Sequence, residues 1–208
     1  SIATDLGMGQ PMEFAMTSCI VAVRLGAAAR LDDAQLSDAY YESLLRYIGC
    51  NADTYWMASV FGDEIALRSE FATVDTADTL RILQLVLRSV RAAHAGDGMG
   101  RTLQGMAQAL SQIPQVSGSF FPGHCEVAAR LAARLGFAPS FVAAAGQLYA
   151  RWDGKGVPGR VGGTQIEPVM RVVHIADDAE VHHRAGGVEA ALTMLRSRRE
   201  TEFDPELV

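Results

Sequence analysis

The 208-residue chain has room for one sizeable core, and its 49% apolar and 20% charged content is that of a globular protein, not a disordered or fibrous one. A net charge of −6 offers no general attraction to nucleic acid or an anionic membrane, so neither is expected as a direct partner. Cys19, Cys50 and Cys125 lack a CxxC pair, and no apolar run approaches the ~20 residues that span a bilayer, which together point to a reducing, cytoplasmic setting.

In chain order, Met12 to Arg30 embeds Phe14, Ile20, Val21, Val23 and Leu25 in alanine and predicts a buried helix. Asp32 or Asp33 caps the next, whose Leu36, Tyr40, Leu44 and Ile48 form one apolar stripe ending at Gly49. Helical periodicity continues over Thr54–Phe71 and Thr79–His94. The run Leu80–Leu87 is apolar enough to be buried on most sides or to pair two copies in a homodimer. After Gly96–Gly100 a further helix covers Arg101–Gln112, and a loop passes Pro114, Gly118, Pro122 and Gly123. Helices resume over His124–Leu135, Ser140–Tyr149, Pro168–His183 and Val188–Arg198. No segment alternates as a sheet strand does, so the fold class is all-α.

The segment from Asp153 to Gly163 is too rich in glycine for a helix. Together with Arg151 and Trp152 it reads Arg-Trp-Asp-Gly-Lys-Gly-Val-Pro, and it is followed in order by Gln165–Pro168, Arg171–Asp177 and Phe203–Val208. This succession resembles the HD-GYP family, metal-dependent phosphodiesterases that open cyclic dinucleotides, with Val157 where the family has tyrosine. The resemblance implies an HD-domain-like helical bundle with a helical insertion, about residues 51–118, and a GYP-type loop. It predicts one domain over residues 1–208, cut from a longer protein.

The same resemblance shows a depleted ligand set. The family's His-Asp dyad falls on Arg46 and Tyr47, its His-His pair on Leu148 and Tyr149, and its first His on Thr17 or Ser18. His124 and Asp177 match retained ligands, and Glu13 matches an acidic one in the Thr17 register. A fixed charge at Arg46 repels a cation and welcomes an anion. The expectation is therefore a non-catalytic regulatory module for signal transduction, with no metal cofactor. It would bind a small ligand or partner protein in a vestigial cavity of Arg46, Tyr47, His124, Tyr149, Asp153 and Asp177. The truncated pattern also resembles HD-like modules ahead of LuxR-type helix-turn-helix domains in bacterial transcription regulators.

The competing expectation is a divergent phosphohydrolase or phosphodiesterase using Glu13, His124, His174 and Asp177 around one Mn, Fe or Zn ion; His174 and Asp177 share a helix face at i, i+3. Elsewhere the residue types favour plain structural roles. Trp56 and Trp152 read as packing anchors, Asp178 and Glu180 as solvated, and Arg196–Arg199 as a solvated helix end. The glycine-rich loop reads as support first, partner docking second, and third as a phosphate cradle with Lys155 and Arg160.

Overall fold

The computed structural model describes residues 2–50, 54–115, 121–157 and 159–208, with the side chains of 113–115 set aside. Gly118 and Pro158, both assigned above to loops, lie outside the described residues. The fold is all-α. Its helices are α1 (Ile2–Gly7), α2 (Phe14–Ala28), α3 (Asp33–Leu45), α4 (Thr54–Phe61), α5 (Glu64–Phe71), α6 (Thr79–Ala93), α7 (Met99–Gln115), α8 (Phe121–Arg134), α9 (Pro139–Ala145) and α10 (Pro168–Arg198). Among the described residues the only β-type pairings are isolated bridges, Tyr149 with Val157 and Arg199 with Phe203.

Helix α2 buries Phe14, Ala15, Ser18, Cys19, Ala22 and Gly26, a face repeating every three to four residues. That face meets α3 and α10, and small residues let the backbones approach: a Cβ on Gly26 would fall 2.9 Å from Leu36. Helix α3 starts at a capping box, with Asp32 Oδ1 accepting from Gln35 N–H and Gln35 Oε1 accepting from Asp32 N–H. The main core joins α2, α3, α8, α9 and α10 around Phe141, Ile166, Met170 and Val173. A second core, Phe61, Leu67, Leu85, Val90 and Ala109, unites α4 to α7.

Several boundaries differ from expectation. Residues 54–71 form two helices because Gly62 turns the chain at φ +75° and Asp63 caps a new start by accepting from Ala66 N–H. Helix α3 ends at Leu45, and the following turns reach Gly49. Gly49 lies against α8: a Cβ there would stand 2.4 Å from the His124 carbonyl oxygen. Helix α7 runs on to Gln115, past Pro114. Helix α8 starts at Phe121 with Pro122 in its first turn, where no N–H is needed. Helix α9 ends at Ala145, short of Tyr149, and the unanticipated α1 precedes α2. The span named α10 holds two helices, as expected, separated by a break where Gly186 and Gly187 leave helical geometry, Gly187 at φ +76°.

The Leu80–Leu87 run is amphipathic, not buried all round: Leu85 is 4% exposed and Leu80 66%. Glu180 is buried, not solvated, because Arg184 and His183 pair with it from the next helical turn. Arg198 is likewise drawn in, donating to Glu202 and to the Thr73 carbonyl. Trp56 packs edge-on to Phe61, and Trp152 lies under the Arg171 guanidinium at 5.7 Å. Among the described residues no helix is long and apolar enough to cross a membrane.

Candidate functional site

The turn after α3 delivers Arg46 and Tyr47 to the middle of α10. Arg46 Nε lies 2.6 Å from Asp177 Oδ2, and the Tyr47 hydroxyl donates to the same oxygen at 2.8 Å. Both approaches are possible because Asp177 sits on the face of α10 turned to α2 and α3, next to His174 one turn earlier. Phe14 of α2 covers Tyr47 with ring centroids 6.0 Å apart.

A second group adjoins it. Tyr149 Oη is 3.2 Å from His124 Nδ1 and 3.2 Å from Cys50 Sγ, and Phe121 packs edge-on against Tyr149. Thus five of the predicted positions, Arg46, Tyr47, His124, Tyr149 and Asp177, lie in two neighbouring hydrogen-bonded groups; the Arg46 charge acts on Tyr149 as well as on Asp177.

Other predicted positions lie outside this arrangement or change role. Asp153 binds Arg151 and caps the loop through the Lys155 N–H, within a separate network in which Arg151 also pairs with Asp75 and Glu202. Glu13 is exposed at the start of α2. Of the two candidates, Ser18 is 1% exposed beside Asp177, whereas the Thr17 hydroxyl donates to the Glu13 carbonyl. Lys155 and Arg160 are exposed, and Arg160 holds φ at +73°.

Sequence patterning missed Asp5, Glu42 and Cys50. Asp5 is fully buried, accepts from Ala15 N–H at 3.4 Å, and acts electrostatically on Asp177. Cys50 is buried, and its thiol touches the Tyr149 hydroxyl. Glu42 gave no signal, since it lies off the predicted Leu36–Ile48 stripe, on the face that buries Ala39 and Ser43.

Burial dominates the electrostatics. It pushes the Asp177 carboxyl above its usual range, against the opposing pull of Arg46 and Tyr47. Tyr47 and Tyr149 are likewise raised by burial. His174 is driven down to about 3, first by burial and then by Arg46, so its imidazole is neutral. Glu42 is raised to about 8 by burial and Asp38, leaving it largely protonated at neutral pH.

These donors do not fit a divalent metal ion. Asp177 is already bonded to a guanidinium, and a dication bound to it would stand roughly 4 Å from that charge, a repulsion of about 8 kcal/mol at an effective dielectric near 20. Among the described residues no three His, Cys, Asp or Glu side chains converge as a metal-holding group.

An open cleft of about 560 Å³ lies away from this cluster, between the Thr73–Asp75 turn and the second half of α10. Val74, Ala190 and Met194 form its apolar floor, and Arg81, His182, Thr193, Ser197 and Arg198 bring polar groups to it.

A profile of the HD domain matches residues 73–207. The 3'3'-cGAMP-specific phosphodiesterase 3 of Vibrio cholerae serotype O1 is 22% identical over 207 residues, covering 99% of this chain and 44% of that protein. The crystal structure of a cyclic GMP-AMP specific phosphodiesterase from V. cholerae superposes with a TM-score of 0.64 at 19% identity, covering 99% of this chain and 45% of that one. The chain therefore spans less than half the length of these relatives.

Proposed function

The chain belongs to the HD-domain family, and from that premise we propose that it acts in phosphodiester hydrolysis, on a substrate of the cyclic-dinucleotide class. The observation that carries this reading is similarity running along 99% of the chain to a protein named as a 3'3'-cGAMP-specific phosphodiesterase. The same finding corrects the expectation of a non-catalytic sensory module: the relatedness is to an enzyme, and it favours the competing phosphodiesterase reading. Within the family, the Arg151–Val157 loop supports a place near the HD-GYP branch, and three free, buried cysteines support a reducing compartment.

Divalent metals supply the hydroxide and the phosphate clamp in this chemistry. Because the Asp177 cluster does not fit such an ion, no hydrolytic step is assigned to it. The cleft beside Thr73 has the size of a small-ligand site and offers guanidinium and hydroxyl donors suited to phosphate oxygens.

Incubation with 3'3'-cGAMP and with a chromogenic phosphodiester in the presence of Mn2+ is expected to yield linear or cleaved product by chromatography. Arg81→Glu, a surface change at the cleft, is expected to lower kcat/KM about tenfold, the loss of one charged contact. No product from either substrate removes the reading.

A further inference from the structure

Most charges on the cleft between the Thr73–Asp75 turn and the second half of α10 are already engaged. Asp75 pairs with Arg151, and Arg198 donates to Glu202 and to the Thr73 carbonyl. Burial, and then Arg198, push His182 below its ordinary pKa, so its imidazole is neutral. Two charged side chains remain: Arg81 from α6, and Glu189 from α10 beyond the break at Gly187. Neither side chain has an ion-pair or hydrogen-bond partner among the described residues. The floor they share is apolar, formed by Val74, Ala190 and Met194, in a space of about 560 Å³.

A phosphate group alone answers Arg81 but is repelled by Glu189. A ligand that satisfies both carries an anion at one end, paired N–H donors at the other, and a flat apolar body between them. Among nucleobases, guanine alone offers two adjacent donors, N1–H and N2–H, which match the two oxygens of a carboxylate. Adenine and cytosine each set a lone pair beside their amino donor, and uracil flanks its one donor with two carbonyls. The Met194 thioether suits an aromatic ring lying on the floor. We propose that the cleft takes a guanine nucleotide, with Arg81 on the phosphate and Glu189 on the donor edge of the base. Glu189 is then the residue that sets base specificity, and the guanine half of a cyclic dinucleotide is the half held here. The nucleotide class rests on the phosphodiesterase reading; the choice of base rests on Glu189.

The test is calorimetric titration of the wild-type chain, Glu189→Gln and Arg81→Gln with GMP, AMP and inorganic phosphate, which reads binding without turnover. Both side chains are exposed, so the variants are expected to fold, and their thermal midpoints check it. Wild type is expected to bind GMP about tenfold more tightly than AMP, the worth of one paired donor edge, and phosphate more weakly than either. Arg81→Gln should weaken GMP and AMP alike. Glu189→Gln should weaken GMP about tenfold and strengthen AMP, because an amide both accepts from and donates to the adenine edge. A role of Glu189 in folding alone would not invert the preference. Equal GMP and AMP affinities on the wild type, a GMP affinity indifferent to Glu189→Gln, or binding of phosphate but not of nucleotide overturns the proposal. Turnover of 3'3'-cGAMP with no base preference overturns it while leaving the phosphodiesterase reading standing; guanine-selective binding with no turnover does the reverse.

Discussion

The Tyr47 hydroxyl reaches Asp177 Oδ2 at 2.8 Å from 130 residues away in the chain, landing on the oxygen that Arg46 also holds. One buried carboxylate thereby ties the end of α3 to the centre of α10. Tyr47→Phe removes a hydrogen bond to a charged group while leaving the ring packed on Phe14, so urea unfolding should show a loss of ~1.5–3 kcal/mol. In an Asp177→Asn background the same change should cost clearly less, because the acceptor is no longer charged.

Arg151 is another inward-held cation, 3% exposed and paired with Asp75, Asp153 and Glu202. It joins the glycine-rich loop to the turn after α5 and to the C-terminal segment. Arg151→Met should destabilise the chain by ~3–5 kcal/mol, since three carboxylates lose their common partner. A denaturant midpoint that moves little would show that those acids are solvated instead.

Glycines of the loop should differ sharply in tolerance. A Cβ on Gly156 would meet the Tyr149 carbonyl oxygen at 2.2 Å and the Arg151 nitrogen at 2.6 Å, both backbone atoms, whereas one on Gly159 meets nothing within 4 Å. Gly156→Ala is expected to lower the thermal midpoint by many degrees, and Gly159→Ala to leave it nearly unchanged. Equal shifts would refute the close approach of Val157 to Tyr149.

Glu42 and His174 give stability opposite pH dependences. Glu42 titrates near 4.5 when unfolded and about 8 when folded, so the folded state holds an extra proton in that window and stability falls as pH rises through it. His174 titrates near 6.5 unfolded and about 3 folded, so stability falls as pH drops through that window. Glu42→Gln should therefore remove a decline on the order of 2–4 kcal/mol between about pH 5 and 8. A chemical-denaturation series across that range checks it, and unchanged slopes in the variant would rule the assignment out.

What the amino-acid sequence determined by itself was local or periodic. The all-α class, the Asp32 start of α3 and the glycine-rich loop at Asp153 follow from propensity, capping and turn chemistry acting within a few residues. Arg46, Tyr47 and Asp177 were legible as positions through the resemblance. Their bonding was not, because a side-chain pair across most of the chain depends on how α3 and α10 pack. Tertiary structure alone placed Ser18 instead of Thr17 beside Asp177, sent Glu13 to solvent, buried Asp5 and Glu42, and gave Asp153 to the Arg151 network. The physical reason is that each carboxylate's fate is set by the burial and the partners it meets once the helices have packed, and those surroundings have no periodicity to read along the chain.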